Sequence, residues 1–217
     1  MSYTGHVTPG GPAAVRDLPD LTITKLSVGP MDNNAYLLRC RRTGEQLLID
    51  AANEPDKLLP LVGDGGLATV VTTHQHQDHH VALAAVVEAT GAASVAHAQD
   101  AGAVPVVTRT VADGDTVRVG ESPLEVIHLV GHTPGSIALL YRDPGGHPHL
   151  FTGDSLFPGG VGNTFGNRDN FESLIDDVEH KLFDRLPDET WFYPGHGDDS
   201  TLGTERPALP DWRARGW

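Results

Sequence analysis

Thr73-His74-Gln75-His76-Gln77-Asp78-His79-His80 places four histidines and an aspartate within seven residues. Core packing does not explain such a cluster, because imidazoles and carboxylates are costly to bury unless something satisfies them. The stretch reads as a metal site. Upstream, residues 68–72 (Ala-Thr-Val-Val-Thr) form a short β-branched run, and downstream residues 81–88 form an apolar stretch of helical length. The cluster therefore sits on a strand-to-helix turn, with a helix predicted over 79–90 and ended by Gly91. On an extended turn His74 and His76 point to the same side, while Asp78 and His79 follow as the chain winds into the helix, so two ligand sets can face two adjacent ions. The positive end of that helix would stand beside Asp78.

The totals bound what such a site can serve. At 217 residues the chain is long enough for one well-buried domain. Hydrophobic content of 39%, charged content of 20%, 25 Gly and 16 Pro describe a loop-rich globule rather than a disordered or helical-repeat chain. A net charge of −14 argues against nucleic acid and against anionic membranes as partners. Cys40 is the single cysteine, which excludes an internal disulfide framework and a thiolate zinc cage, so any metal must be held by histidine and carboxylate. On its strand Cys40 reads as a small buried hydrophobe. No apolar run approaches a membrane span, and the first twenty residues lack the regions of a signal peptide, which points to a cytoplasmic protein. The oligomeric state stays open.

Taken in order, residues 1–20 read as a mobile N-terminal arm without period, and 21–217 as a single domain. Residues 21–28 alternate like a strand, 34–40 and 45–50 continue a meander, and 54–62 form a helix weakened by Pro60. A strand at 92–96 follows the histidine cluster and its helix, and His97-Ala98-Gln99-Asp100-Ala101 opens a small helix. Further strands at 124–130, 149–152 and 191–193 deliver, in turn, Gly131-His132-Thr133-Pro134-Gly135-Ser136, then Gly153-Asp154-Ser155, then Pro194-Gly195-His196-Gly197, and another strand at 136–141 leads by a hairpin turn into the second of them. A long amphipathic helix is predicted over 170–186. Each candidate ligand group thus sits at a strand end, and the strand-rich halves before and after about Ala103 read as two sheets facing each other with helices outside.

With THQHQDHH, GHTPGS, GDS and PGHG in that order, the chain resembles the metallo-β-lactamase fold superfamily, and within it the glyoxalase II-like hydrolases. The resemblance runs from about Thr22 to Pro207. It implies an α/β fold, a four-layer αβ/βα sandwich with the site on one edge of its two sheets. It also implies that His74, His76 and His132 hold one metal, that Asp78, His79 and His196 hold a second, and that Asp154 bridges them. Imidazole and carboxylate suit two divalent ions, zinc foremost, with iron or manganese as alternatives. Two ions about 3.5–4 Å apart can share a hydroxide formed near neutral pH, which would attack a carbonyl carbon while a metal stabilises the oxyanion. Asp78 is the candidate catalytic residue. A thiolate leaves with little proton help, since a thiol pKa is about 8.5, so a small-molecule thioester is the expected substrate.

Three departures bear on the substrate. The chain ends at Trp217, soon after His196, where glutathione-thioester hydrolases of this family carry a helical extension that contributes the glutathione-binding residues. His80 stands where the family has a smaller residue, and Asn163 where related short-chain members carry Arg. The reading is a thioesterase of glyoxalase II type. Its rivals are a lactone or other ester hydrolase, and a mononuclear iron persulfide dioxygenase using two histidines and an aspartate.

The remaining polar residues have blander readings. His80 reads as a capping or ligand-supporting histidine, with a ligand role as the alternative, and Asp50 either as an acceptor for a ligand histidine or as a plain turn cap. His97 and His128 read as satisfied histidines and His147, His149 and His180 as solvated ones. Thr133 and Ser136 satisfy their own turn. Asn163, Phe165, Asn167 and Arg168 lie on a Gly-rich loop that either lines a cleft or merely connects.

Overall fold

The computed structural model describes residues 3–216, and alternation of apolar side chains along the strands sets its layering. Among these residues the first sheet holds β1 (Ala14–Asp17), β2 (Leu21–Val28), β3 (Asn33–Cys40), β4 (Gln46–Ile49), β5 (Thr69–Val71), β6 (Ala93–His97) and β7 (Arg109–Val111), side by side in chain order. Pairing is antiparallel up to β4 and parallel beyond it. The parallel step requires crossovers, which α1 (Pro55–Val62) and α2 (Leu83–Thr90) supply. The second sheet holds β8 (Thr116–Val119), β9 (Ser122–His128), β10 (Ile137–Arg142) and β11 (Pro148–Gly153). After a small ladder of β12 (Leu156–Phe157) and β13 (Gly160–Val161), it is completed by β14 (Trp191–Pro194) and β15 (Ser200–Thr201). Its order is β15-β14-β11-β10-β9-β8.

Leu21, Ile23, Leu38, Leu47 and Ile49 of one sheet meet Leu124, Val126, Leu139, Phe151 and Tyr193 of the other in the central core. The alternate residues Leu37, Leu48 and Val70 face Leu58, Leu83 and Val86 of the two crossover helices. On the far side, Ile127, Leu140 and Phe192 pack on Phe171, Leu174 and Trp212 from α3 (Arg168–Asp177) and from α5 (Leu209–Arg215), which follows the short α4 (Leu202–Glu205). The result is helices, sheet, sheet, helices: the expected four-layer αβ/βα sandwich.

Several elements differ from expectation, each because a distant partner competes with the local pattern. The helix predicted from His79 begins at Leu83, after a 3-10 turn over Gln77–His79. Val81 N and Ala82 N donate to Ala52 O and Ala51 O across the sheet edge, which removes those donors from the helix. Among the described residues no α-helix N-terminus therefore stands beside Asp78. Of the helix expected at 97–101, His97 ends β6 and the rest is a turn. Residues 14–17 of the expected arm are a strand on the first sheet, Val7 and Leu18 are buried, and Gly5 O accepts a hydrogen bond of 2.6 Å from the buried Lys25 ammonium. Residues 3–20 thus form a packed strap rather than a mobile arm, and the first two residues of that expectation lie outside the described ones. The two sheets change over between Val111 and Thr116, because β7 still pairs with β6. The long helix starts at Arg168 and runs on from Asp177 as a π turn, Val178–Phe183. His149 is buried, its Nδ1 2.8 Å from the Tyr193 hydroxyl, not solvated. Cys40 is buried, as its strand position implies.

Candidate metal centre

The chain directions bring the candidate ligands to one edge. β4 and β5 are parallel, and β9 and β11 both run antiparallel to β10 while β14 runs parallel to β11, so the loops after these strands emerge together. A bridge between Asn33 and His196 joins the two sheets there. Three groups of ligand atoms lie within 4.8 Å of one another: His74, His76 and His132; His74, His79 and Asp154; and Asp78, His79 and His196. All seven residues proposed from the sequence are in these groups. Asp154 stands between them, Oδ1 3.3 Å from His79 Nε2 and Oδ2 3.4 Å from His196 Nε2 and 3.7 Å from His132 Nε2.

The outward nitrogen of each ring decides what the inward one can do. His132 Nδ1–H donates to Asn163 O at 2.7 Å, and His196 Nδ1–H donates to Met31 O at 2.9 Å. Thr73 Oγ1 donates to Asp50 Oδ2 and so accepts from His74 Nδ1–H at 3.1 Å. His79 Nδ1–H donates to Asp50 Oδ2 at 2.9 Å. Each of these rings therefore turns Nε2 to the centre, where His74 Nε2 and His132 Nε2 stand 3.3 Å apart and His79 Nε2 and His196 Nε2 3.2 Å apart. His76 joins the group through Nδ1, 2.9 Å from His132 Nε2. Lone pairs facing one another at such distances repel unless a proton or a cation lies among them, so the donor set fits a metal.

The titration of these groups divides the site into two halves. Burial, reinforced by its histidine neighbours, holds His74 well below the ordinary imidazole range, and burial likewise lowers His76 and His132. These three rings thus favour the neutral form, the one in which an imidazole can bind a metal. Burial also acts to depress His79, but the Asp154 and Asp50 carboxylates overcome it and push the ring up to about 10. His196 is raised in the same way by Asp154 against burial. Burial works to raise Asp78 and Asp154, yet the Asn33 amide and His79 hold Asp78 below the usual carboxylate range, and His79 and His196 hold Asp154 well below it. The second half thus asks for positive charge, as protons or as an ion.

Asp50 sits under both halves, its Oδ1 taking Thr73 N at 2.8 Å and its Oδ2 taking Thr73 Oγ1 and His79 Nδ1. Asn33, which the sequence reading passed over, donates to Asp78 Oδ2 at 2.8 Å. Only its position directly after a polar hairpin turn marks it in the sequence. His80 belongs to none of the ligand groups; its Nε2–H caps Gln75 O at 3.0 Å. At Gly195 a Cβ would stand 2.7 Å from His79 Cε1 and against Asp154 Oδ1, so the glycine leaves the space these ligands occupy. Met31, Val81 and Phe165, exposed at 60, 51 and 67%, rim the mouth. Phe165 holds a left-handed φ of 56° and lays its ring 5.6 Å from His76 and 6.0 Å from His132. Beside Asp78 opens a hollow of 340 Å³ bounded by Met31, Asn33 and Val81.

Residues 28–196 match the family model of the metallo-beta-lactamase superfamily, from the end of β2 to the last candidate ligand. The chain belongs to the metallo-β-lactamase superfamily. Among curated members, it is 40% identical over 166 residues to a hydroxyacylglutathione hydrolase of Polaromonas sp., a match covering 76% of this chain and 62% of that protein. Among solved structures, ETHE1 from Myxococcus xanthus superposes with a TM-score of 0.77 at 32% identity, covering 88% of this chain and 84% of the other. TTHA1623 in a di-iron-bound form gives a TM-score of 0.71 at 34% identity, covering 84% and 96%. Superfamily membership and the His/Asp clusters together indicate a divalent metal site. Among the described residues no helix is long and apolar enough to cross a membrane.

Proposed function

We propose that the chain is a dinuclear metal-dependent hydrolase that cleaves a small thioester, in the manner of the hydroxyacylglutathione hydrolases it resembles. One observation carries this reading: two ligand sets with inward-facing ring nitrogens meet on Asp154 beside an open apolar mouth. His74, His76 and His132 would hold one ion and Asp78, His79 and His196 the other, with Asp154 shared. Zinc fits this donor set, with iron or manganese as alternatives, and the di-iron form of TTHA1623 supports iron. When bound, the two ions supply a nucleophile from water at neutral pH and polarise the acyl carbonyl.

The chain's own groups do the rest. Asp78 stays ionised, is fixed through Oδ2 by Asn33, and is half-buried at the mouth, where it orients the incoming water. Met31, Val81 and Phe165 wall the mouth and limit water around the acyl group. With both ions in place, none of the inward ring nitrogens would keep a proton to give a leaving group, so a leaving group that needs none is favoured. A thiolate, whose acid has a pKa of about 8.5, meets that requirement better than an alkoxide does. This supports thioesters over the rival lactones and other esters.

The test is release of free thiol from S-lactoyl-glutathione and a panel of other thioesters. Turnover that is lost on chelation and regained with zinc is the expected result, and the best substrate names the thiol carrier. Lactone opening without thiol release would favour the rival hydrolase. A second reading draws on His74, His132 and Asp154, a two-histidine, one-carboxylate set of the kind that holds a single oxygen-activating iron. Likeness to ETHE1 supports it too, and oxygen uptake with a low-molecular-weight persulfide would mark it.

A further inference from the structure

We infer that Asp100 is the positioning residue that sets the geometry of the His74, His76 and His132 group, an assignment that rests on the metal-centre reading above. Asp100 lies in the turn after β6 and is 1% exposed. Its Oδ1 accepts from Gly135 N at 2.7 Å, and its Oδ2 from Gln75 N at 2.9 Å and Thr133 Oγ1 at 2.6 Å. Gln75 lies between His74 and His76, and Thr133 follows His132. One buried carboxylate thus gathers donors from both loops that supply this group, although none of the three donors is itself a ligand. At Gly135 a Cβ would stand 2.7 Å from Asp100 N, so a glycine is what permits the approach.

The two loops come from different sheets, one after β5 and the other between β9 and β10. Apart from Asp100 and the approach of the ligand rings themselves, they are tied by Ile137 N donating to Thr73 O at 2.9 Å, which lies toward the strand ends rather than beside His76. Hydrogen bonds to an ionised acceptor are about twice as strong as neutral ones, so the Asp100 carboxylate is the stiffer link at the ligand end of the loops. The other ligand group is fixed without it: Asp50 holds His79, Asn33 holds Asp78, and Met31 O holds His196. Removing the carboxylate should therefore loosen one group and spare its neighbour.

Zinc affinity, measured by competition with a chromophoric chelator, reads this directly. Asp100→Asn is placed in two backgrounds, His196→Ala, which leaves the His74-His76-His132 group, and His132→Ala, which leaves the Asp78-His79-His196 group. The expected result is zinc binding weaker by about tenfold to a hundredfold in the first background, the usual size of a ligand-supporting effect, with the second unchanged. Thr133→Val, which removes one of the three donors, is read in the same backgrounds and should give a smaller loss in the first alone, so the assignment stays testable if Asp100→Asn does not fold. Equal losses in both backgrounds, loss in the second alone, or no loss in either would overturn the role of Asp100. Absence of zinc uptake by the unsubstituted chain would instead sink the metal-centre reading, and this assignment with it.

Discussion

Buried between Tyr141 and Tyr193, His149 shows how a single residue couples the fold to pH. The Tyr193 hydroxyl accepts from Arg16 Nη1 at 3.3 Å and donates to His149 Nδ1 at 2.8 Å, which leaves the Nε2 proton buried without a partner. Burial, with Arg16 and His147 nearby, pushes this imidazole down to about 3. The unfolded chain takes up the proton near pH 6.5, whereas the folded chain does not until far lower, so stability is full above about pH 6.5 and falls as pH drops through that window. At pH 5 the cost is about 2 kcal/mol. His149→Gln keeps an acceptor for the hydroxyl and has no proton to take up, so denaturant midpoints should change less between pH 7 and 5 in the variant. An identical acid limb in both chains would contradict this account. Nothing in the local sequence marks His149 as buried: it follows the hairpin turn at 143–146 by only three residues, and the decisive partners, Arg16 and Tyr193, are far away in the chain.

At the scale of elements, the loop after β14 is held so closely that its glycine is irreplaceable. Gly195 N donates to Gly153 O at 2.8 Å and Asn34 N donates to Gly195 O at 2.7 Å, which fixes the loop between the two sheets. Gly195→Ala would drive a methyl against Asp154 and His79. Overpacking of this kind costs about 1–3 kcal/mol. The variant is expected to fold with a modestly lowered melting temperature and to lose bound metal; retention of full metal content would contradict the placement of Asp154 and His79 as ligands. The same scale shows what a sequence reveals. β2 runs over the residues its alternation predicts, and the strand ends bearing His74, His132, Asp154 and His196 are placed correctly, because period-2 patterning and polar turns are local signals. The start of α2 and the turn at Asp100 are misread, because Ala51 O, Ala52 O and the donors gathered by Asp100 are long-range partners that no periodicity records.

Across the whole molecule, the N-terminal strap closes the sandwich on the side of the ligand loop that follows β14. Lys25 Nζ, fully buried, donates to Gly5 O, Gly197 O and Asp199 Oδ1, and Asp199 Oδ2 accepts from Tyr3 and Trp191. Deleting residues 1–7 removes one acceptor from a buried ammonium and one donor from its carboxylate, and is expected to cost about 2–4 kcal/mol of stability, read as a lowered denaturant midpoint. An unchanged midpoint would show that the strap is not part of the folded unit. Its lack of sequence period hides it, since β1 is a four-residue edge strand with alternating exposure and a single partner. At one edge of the whole fold stand the two ligand groups that we propose share Asp154. Metal content per chain, measured by elemental analysis on protein purified without added metal, tests that claim most directly. Two divalent ions per chain, falling to one on His196→Ala, is the predicted result. A single ion that survives His196→Ala unchanged, or no bound metal, would contradict the dinuclear centre.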